Sequence, residues 1–466
     1  MLFNSLEFIL FLPIVLVVYF CLSRWLKLQN LFLLISSYVF YAFWDWRFLS
    51  LIILSSLFDF YCGLKLGNKE TRNREVYLIL SVLFNLGVLC IFKYLDFFIG
   101  EFVYLMSGFG IETNWHSLNF ILPLGISFYT FQTMAYTIDV YRKKIEAEKS
   151  ILNLALYVSF FPQLVAGPIE RAQHLLPQIT TKRYVTNKMI LEGGWLIFLG
   201  YFMKVFLADN LALIVDPIFE MKDPGFYDVI TGVFAFSFQI YGDFAGYTFI
   251  AIGVAKWLGF DLMTNFLFPY FITSPQAFWR NWHISLSTWL RDYLYIPLGG
   301  NRGGKWLTYR NLMLTMLIGG LWHGANWNFI VWGFYHGAIL IIFRKMSWDK
   351  NEGSGAFGYF KVLFMFLLTC FGWMLFRVES MDQFYVLFMS LFEYSNPSVS
   401  QIDNIKLVLF FISLPLLIKI LQYKTSAQNS FDTIPVPLRI TIYVLMFYAI
   451  FAFGEFGKQE FIYFQF

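Results

Sequence analysis

The chain has 466 residues, 58% of them hydrophobic, 22% aromatic and only 14% charged, against about 25% charged in soluble domains. That excludes a soluble globular enzyme and marks a membrane protein. The net charge of +4 is accounted for by basic loops beside a bilayer and requires no nucleic acid.

Apolar windows recur along almost the whole chain, most of them near the roughly 17 to 25 residues that a span needs. The early ones lie near Phe8 to Leu22, Leu31 to Phe43, Leu49 to Leu64, Tyr77 to Ile91, Leu118 to Ala135 and Ile151 to Val165. More follow near Leu191 to Ala208, Val229 to Val254, Leu312 to Phe343, Phe360 to Phe376, Ile405 to Leu421 and Leu438 to Phe453. They predict an all-α polytopic membrane protein with roughly ten to twelve spans. The first window is expected to be retained as an anchor, because MLFNSLE carries no basic residue and no small-residue cleavage site follows in Phe20 to Leu26.

Basic residues gather at Arg24 and Lys27, in LKLGNKETRNRE (Leu64 to Glu75), in YRKKIEAEK (Tyr141 to Lys149) and in TKRYVTNK (Thr181 to Lys188). With the unbasic N-terminus outside and spans alternating, the first two loops fall inside, as the positive-inside rule asks. Cys21, Cys62, Cys90 and Cys370 stand apart without a CxxC pair and read as small buried hydrophobes. His116, His174, His283, His323 and His336 show no ligand spacing, so no metal is expected. KNEGSGAFG (Lys350 to Gly358) and SNPSVSQIDN (Ser395 to Asn404) look like surface loops within one membrane domain, residues 1–466, whose motif-bearing core runs from about 118 to 345.

Hydropathy falls between Pro275 and Arg310 while tryptophan, arginine and glycine rise. Wound as one helix, Phe278 to Tyr293 puts Trp279, Trp282, Leu286, Trp289 and Tyr293 on one face and Asn281, Ser285, Thr288 and Asp292 on the other, flanked by Arg280, His283, Ser287 and Arg291. Such a helix either lies in the membrane interface with a tryptophan belt or lines a polar cavity inside the protein. In the following IPLGGNRGGKW, Gly299, Gly304 and Lys305 satisfy part of a phosphate loop. Trp306, however, stands where a Ser or Thr must ligate magnesium, and no buried strand precedes. A tight basic turn carrying Arg302, Lys305 and Arg310 is the better account.

The run GGLWHGANWNFIVWGFYHG, Gly319 to Gly337, carries two histidines at membrane depth. From Leu312 to Phe343 one straight helix would be about 50 Å long, too long for an untilted span. A break at Gly319, Gly320 or Gly324 resolves that and puts His323 at the break. A titratable side chain there points to function, a neutral imidazole can accept a proton, and Trp322, Gly324, Asn326 and Asn328 supply polar partners and room. His336, followed by Gly337 and an aliphatic run, is expected to be a hydrogen-bonded structural histidine in a site of its own.

Four stretches, FFPQLVAGPIERA (Phe160 to Ala172), YGDFAGY (Tyr241 to Tyr247), FWRNWHISLSTWLRDYLYIPLGGNR (Phe278 to Arg302) and GGLWHGANWNFIVWG (Gly319 to Gly333), resemble the membrane-bound O-acyltransferase family. The resemblance is specifically to its bacterial, alginate-O-acetylating branch, and extends more loosely over the N-terminal spans and FGWMLFR (Phe371 to Arg377). It implies a ring of tilted helices around a central funnel with a re-entrant or broken helix. His323 of the WHG motif would be catalytic and His283 of RNWHISLS a supporting site residue. It also implies an acyl group, acetyl first, carried from a cytosolic thioester to a polysaccharide outside a bacterial cytoplasmic membrane, with an extracytoplasmic partner protein completing transfer. The donor would be acetyl-CoA or an acylated carrier protein, with no bound cofactor.

Acyl transfer from a thioester to a hydroxyl needs a base, donors for the developing oxyanion and positioning of both reactants. His323 would be the base, with Asn281, Ser285, Asn326 and Trp322 about the substrate and Asp292 orienting a histidine or anchoring arginines. Arg302, Lys305 and Arg310 would hold donor phosphates or form an ordinary positive-inside loop. An acyl-enzyme on His323, transfer through a partner's serine, and D-alanyl transfer to teichoic acid are neighbouring versions. A transporter or flippase is the alternative from another class, disfavoured because no second broken region pairs with the first.

Overall fold

The structure, a computed structural model, describes residues 1–113, 115, 118, 120–164, 167–348, 355–425, 434–457 and 461–464. His116, Val165 and the loop expected at Lys350 to Gly358, as far as residue 354, lie outside these residues. Among the described residues there is no strand, as an apolar medium requires of a chain that satisfies its own backbone by local hydrogen bonds. The helices in chain order are α1 (Leu6–Cys21), α2 (Leu26–Asp45), α3 (Leu49–Gly67), α4 (Arg74–Leu89), α5 (Leu95–Gly108), α6 (Ile126–Tyr141), α7 (Ile151–Ser159), α8 (Phe161–Leu164), α9 (Ala172–Thr180) and α10 (Asn187–Tyr201). There follow α11 (Asp209–Glu220), α12 (Phe226–Trp257), α13 (Pro275–Asn281), α14 (Ile284–Leu290), α15 (Gly304–His323), α16 (Trp327–Lys345), α17 (Ala356–Arg377), α18 (Met381–Ser390), α19 (Val399–Thr425) and α20 (Val436–Phe453).

Among the described residues, six helical runs are long and apolar enough to cross a membrane, Leu26–Gly67, Arg74–Gly108, Asn187–Glu220, Ala356–Arg377, Val399–Thr425 and Val436–Phe453, and Leu6–Cys21 is apolar but shorter. The protein is therefore a multi-pass membrane protein. Leu26–Gly67 has 42 residues, which at about 1.5 Å each is twice a hydrocarbon core of about 30 Å. It accordingly covers two of the apolar windows, with a 3-10 turn at Trp46–Phe48 between them. The windows at Leu118 to Ala135 and Ile151 to Val165 fall on α6 and α7, whose 16 and 9 residues are shorter than a crossing.

The chain packs as two units, Met1–Gly193 with Ala251–Met263, and Gly194–Ile250 with Thr264–Phe466. In the first, a polar cluster ties α3, α4 and α6 together: the Asp59 carboxylate accepts from Ser81 Oγ at 2.6 Å and Asn85 Nδ2 at 2.7 Å, and Asn85 Oδ1 accepts from Thr133 Oγ1 at 2.9 Å. A carboxylate buried in a span needs such donors to stay there. Glu170, fully buried in the PIERA stretch, receives the Met263 amide at 2.5 Å and stands 2.8 Å from His174 Nδ1.

Two breaks in the second unit place the histidines. The single amphipathic helix expected over Phe278 to Tyr293 is instead α13 and α14 with a corner at Trp282 and His283, followed by a π-turn at Arg291–Tyr295. Helical periodicity hid the corner because the residues on either side keep the pattern. His283 sits in the left-handed region at φ 43°, ψ 54°, a conformation that costs on the order of 1–3 kcal/mol away from glycine. Neighbouring groups hold it: Asn265 O accepts the Ile284 amide at 2.9 Å, and Leu267 N donates to Asn281 O at 3.0 Å. The second break is at Gly324, extended at φ −163°, ψ 152°, which divides the long apolar run into α15 and α16, at one of the three glycines expected.

These two helices fold back on each other. A methyl group at Gly320 would collide with the Phe329 carbonyl oxygen, one at Gly333 with that of Met316, and one at Gly337 with the Met313 sulfur. The descending pairing shows an antiparallel hairpin in which glycine lets the backbones approach, the usual basis of helix packing in lipid.

Candidate active site

His323 is the last residue of α15 and is 5% exposed. Its ring lies edge-on to Trp322, Trp332 and Phe376, with centroids 5.1, 5.1 and 5.2 Å away, and 5.6 Å from Tyr463. His283 is completely buried, 4.7 Å from the ring of Phe244, 6.0 Å from Trp322 and 6.2 Å from Tyr463. The two histidines thus come from separate breaks in the helices and share two aromatic neighbours, Trp322 and Tyr463. The Tyr463 hydroxyl is buried and has no hydrogen-bond partner among the described residues.

His323 also lines a cavity of about 470 Å³ with Arg280, Ser287, Thr288, Arg291 and Arg344 among its walls. Among the described residues three guanidiniums and no carboxylate line it, so it favours an anionic occupant. Arg291 keeps a partner of its own, with Nε 2.7 Å from Asp292 Oδ1.

The other expected site residues sit apart from this cavity. Asn281 donates to Ala277 O at 2.7 Å, and buried Ser285 takes Asn265 Oδ1 on its amide at 3.4 Å, so both brace the corner at His283. Asn326 occupies the N-cap position of α16, but its side chain turns away from the helix to donate to Glu379 O at 2.8 Å, while Asn328 donates to Val378 O at 2.6 Å; both tie the break to the end of α17. Asp292 is the ion partner of Arg291. Trp322 packs against both histidines. Arg302 and Lys305 are exposed on the glycine turn, which Asn311 Nδ2 pins by donating to Leu298 O and Gly300 O at 3.1 and 3.0 Å.

Sequence reasoning missed Arg280 and Arg344 as wall residues and missed Tyr463 altogether. Arg280 reads only as a flanking charge of the Phe278 to Tyr293 helix, Arg344 follows an aliphatic run with no motif to single it out, and FIYFQF, lying beyond the last apolar window, offers only an aromatic run. For His336 the expected hydrogen bond is corrected: Nδ1 is buried without one among the described residues. The ring is held by stacking on Phe278, with centroids 6.0 Å apart and planes 9° apart, and by edge contacts with Trp279 and Trp332.

Residues 147–348 match the model of the membrane-bound O-acyltransferase family. The chain is 41% identical over 410 residues to the "Probable alginate O-acetylase AlgI" of Azotobacter vinelandii, covering 87% of this chain and 81% of that one. This chain belongs to the membrane-bound O-acyltransferase family. As a family member it is an O-acyltransferase, and it is also similar to the "Peptidoglycan O-acetyltransferase" of Helicobacter pylori, 36% identical over 82% of this chain and 78% of that one. The "Teichoic acid D-alanyltransferase" of Bacillus subtilis is more distant, 26% identical over 55% of this chain and 69% of that one.

Proposed function

We propose that this O-acyltransferase moves an acetyl group from a cytosolic thioester to hydroxyls of an extracytoplasmic polysaccharide, with His323 as general base. The observation that carries the reading is a buried histidine at a helix break, at the wall of an arginine-lined cavity of about 470 Å³. His323 takes the proton as the acceptor hydroxyl attacks the thioester carbonyl, and returns it to the thiolate that leaves. Arg280, Arg291 and Arg344 suit the phosphates of acetyl-CoA or of a carrier's phosphopantetheine. The acetylating relatives favour acetyl over D-alanyl as the cargo and a polysaccharide as the acceptor; the setting proposed is a bacterial cytoplasmic membrane. An extracytoplasmic partner protein would complete delivery.

A second reading has its own observation, the buried Tyr463 hydroxyl without a partner among the described residues and its ring 5.6 Å from His323. In it the phenol is the first acceptor. His323 removes its proton, the C–S bond breaks as an aryl ester forms, and the thiolate takes the proton; the final hydroxyl then attacks the ester, its proton passing through His323 to the phenolate that leaves, which restores Tyr463.

Membrane vesicles holding the protein and its partner, given labelled acetyl-CoA, test both. Wild type is expected to release CoA and label the glycan, and His323→Ala, at equal abundance, to do neither; equal turnover by both would refute the base. Hydroxylamine-labile label on the chain, lost in Tyr463→Phe, supports the relay, and full glycan labelling by Tyr463→Phe refutes it. Turnover only with an acylated carrier protein would fix the donor as the carrier, and turnover only with a D-alanyl thioester would overturn the acetyl reading.

A further inference from the structure

The YGDFAGY motif and a buried charge cluster are not used by the chemistry above. Lys204, Asp209 and Asp243 are 1%, 2% and 3% exposed. Lys204 Nζ stands 2.8 Å from Asp209 Oδ1 and 2.7 Å from Asp243 Oδ1, and 5.4 Å from the centroid of the Tyr247 ring. Glycine makes the approach feasible. A Cβ at Gly242 would press on Leu207 and the Met203 carbonyl oxygen, and one at Gly246 on the Gly200 carbonyl oxygen, so the GxxxG face of the motif lets α12 lie against the turn that carries Lys204. One ammonium faces two carboxylates, and a buried carboxylate oxygen left without a donor is costly. The donor that Asp243 Oδ2 has among the described residues is the Ile462 amide, at 2.7 Å.

Two more contacts run from the same place to the same stretch of chain. Lys204 lies in a π-helical turn, Phe202–Ala208, and such turns leave carbonyls outside the regular ladder and recur at functional sites. Val205 O accepts the Glu455 amide at 2.9 Å, and Asn210 Nδ2, which also reaches Val205 O and Phe206 O, donates to Phe453 O at 2.8 Å. Beyond Asp243, the motif supplies the rings on which the stretch rests: Phe461 lies 4.7 Å from Tyr247, and Tyr463 4.5 Å from Phe244.

We infer that Lys204, Asp209, Asp243 and Asn210 form a clasp that holds the Phe461–Tyr463 segment against α12 and so positions the Tyr463 hydroxyl beside His283 and His323. These are positioning residues, and the inference deepens the second reading above, resting on Tyr463 as a reacting group. The π-turn offers backbone acceptors, the lysine neutralises one carboxylate, and the other carboxylate fixes the register of the segment by one amide.

The test uses the full chain in detergent treated with tetranitromethane, with nitration of each tyrosine read by peptide mass spectrometry, beside vesicle kinetics. Asp243→Ala and Asn210→Ala are expected to raise nitration of Tyr463 several-fold while Tyr129 and Tyr157, buried in the first unit, stay protected. They should lower kcat by at least about tenfold through misplacement with the KM for acetyl-CoA unchanged; Lys204→Ala should do the same, and Lys204→Arg, which keeps the charge, should stay near wild type in both readouts. Tyr463 remaining as protected as in wild type, or a KM that rises in step with the loss of kcat, overturns the clasp. Should Asp243→Ala fail to fold, Asn210→Ala, which leaves the charges in place, decides. Nitration does not depend on turnover, so a fully active Tyr463→Phe would refute the role of the phenol without deciding the clasp.

Discussion

His323 and His336 stand on the two arms of one hairpin, each buried, each among aromatic rings, with Trp332 touching both at 5.1 and 4.6 Å. They differ in access. His323 opens on the arginine-lined cavity and adjoins the Tyr463 phenol, whereas His336 is stacked on Phe278 and hemmed by Gly372, where a Cβ would come within 3.0 Å of its Nε2. A polar residue at membrane depth is a reason to look for function, but depth alone does not choose between the two, and access is the ground on which His323 is proposed. A base needs space beside it for a reactant.

The largest effect should come from His323→Ala, which is expected to cut acetyl transfer by about 10²- to 10⁴-fold, the usual worth of a general base, measured as CoA release from vesicles. His283 sharpens the contrast, because its ring and its backbone can be tested separately. Both His283→Ala and His283→Gly should lose transfer by on the order of tenfold or more if the ring supports the site. The glycine variant should nevertheless be more stable in detergent than the alanine variant, by about 1 kcal/mol, because it relieves a left-handed residue. Recovery of activity in the glycine variant would mean that the corner, not the ring, matters.

Arg344→Gln should raise the KM for acetyl-CoA by about tenfold with kcat held, the value of one charge-assisted hydrogen bond; a loss in kcat alone would separate the cavity from the donor. The smallest effect is expected at the opposite arm. His336→Phe fits a ring into a ring-lined box and removes a buried nitrogen that has no hydrogen-bond partner among the described residues. Transfer should stay within about twofold and thermal stability in detergent should hold or rise. A large loss of transfer there would erase the distinction between the two histidines.

Much of this was legible from the residues. The windows at Leu31 to Phe43 and Leu49 to Leu64 became α2 and α3, because burying a backbone in lipid leaves a run of apolar residues little choice but a helix. A break in the run was readable from arithmetic, since the apolar run exceeds the bilayer, but which of Gly319, Gly320 and Gly324 makes it was decided by the structure, at Gly324. The corner at His283 was not, because nothing in a 3.6-residue pattern marks a single left-handed residue that is stabilised by Asn265, some twenty positions away.

The sequence by itself determined that the chain lies in a membrane, that it is helical, and that His323 sits at a break, all of which follow from hydropathy, helix rise and the positions of glycine. Only the tertiary structure decided which groups meet: that Trp322 and Tyr463 lie beside both histidines, that Arg280, Arg291 and Arg344 share a wall, and that a carboxylate in YGDFAGY holds the amide of Ile462, 219 residues along the chain. The physical reason is range. Periodicity reports on neighbours within a turn or two of helix, whereas a site is assembled from long-range contacts whose partners leave no mark on one another in the sequence.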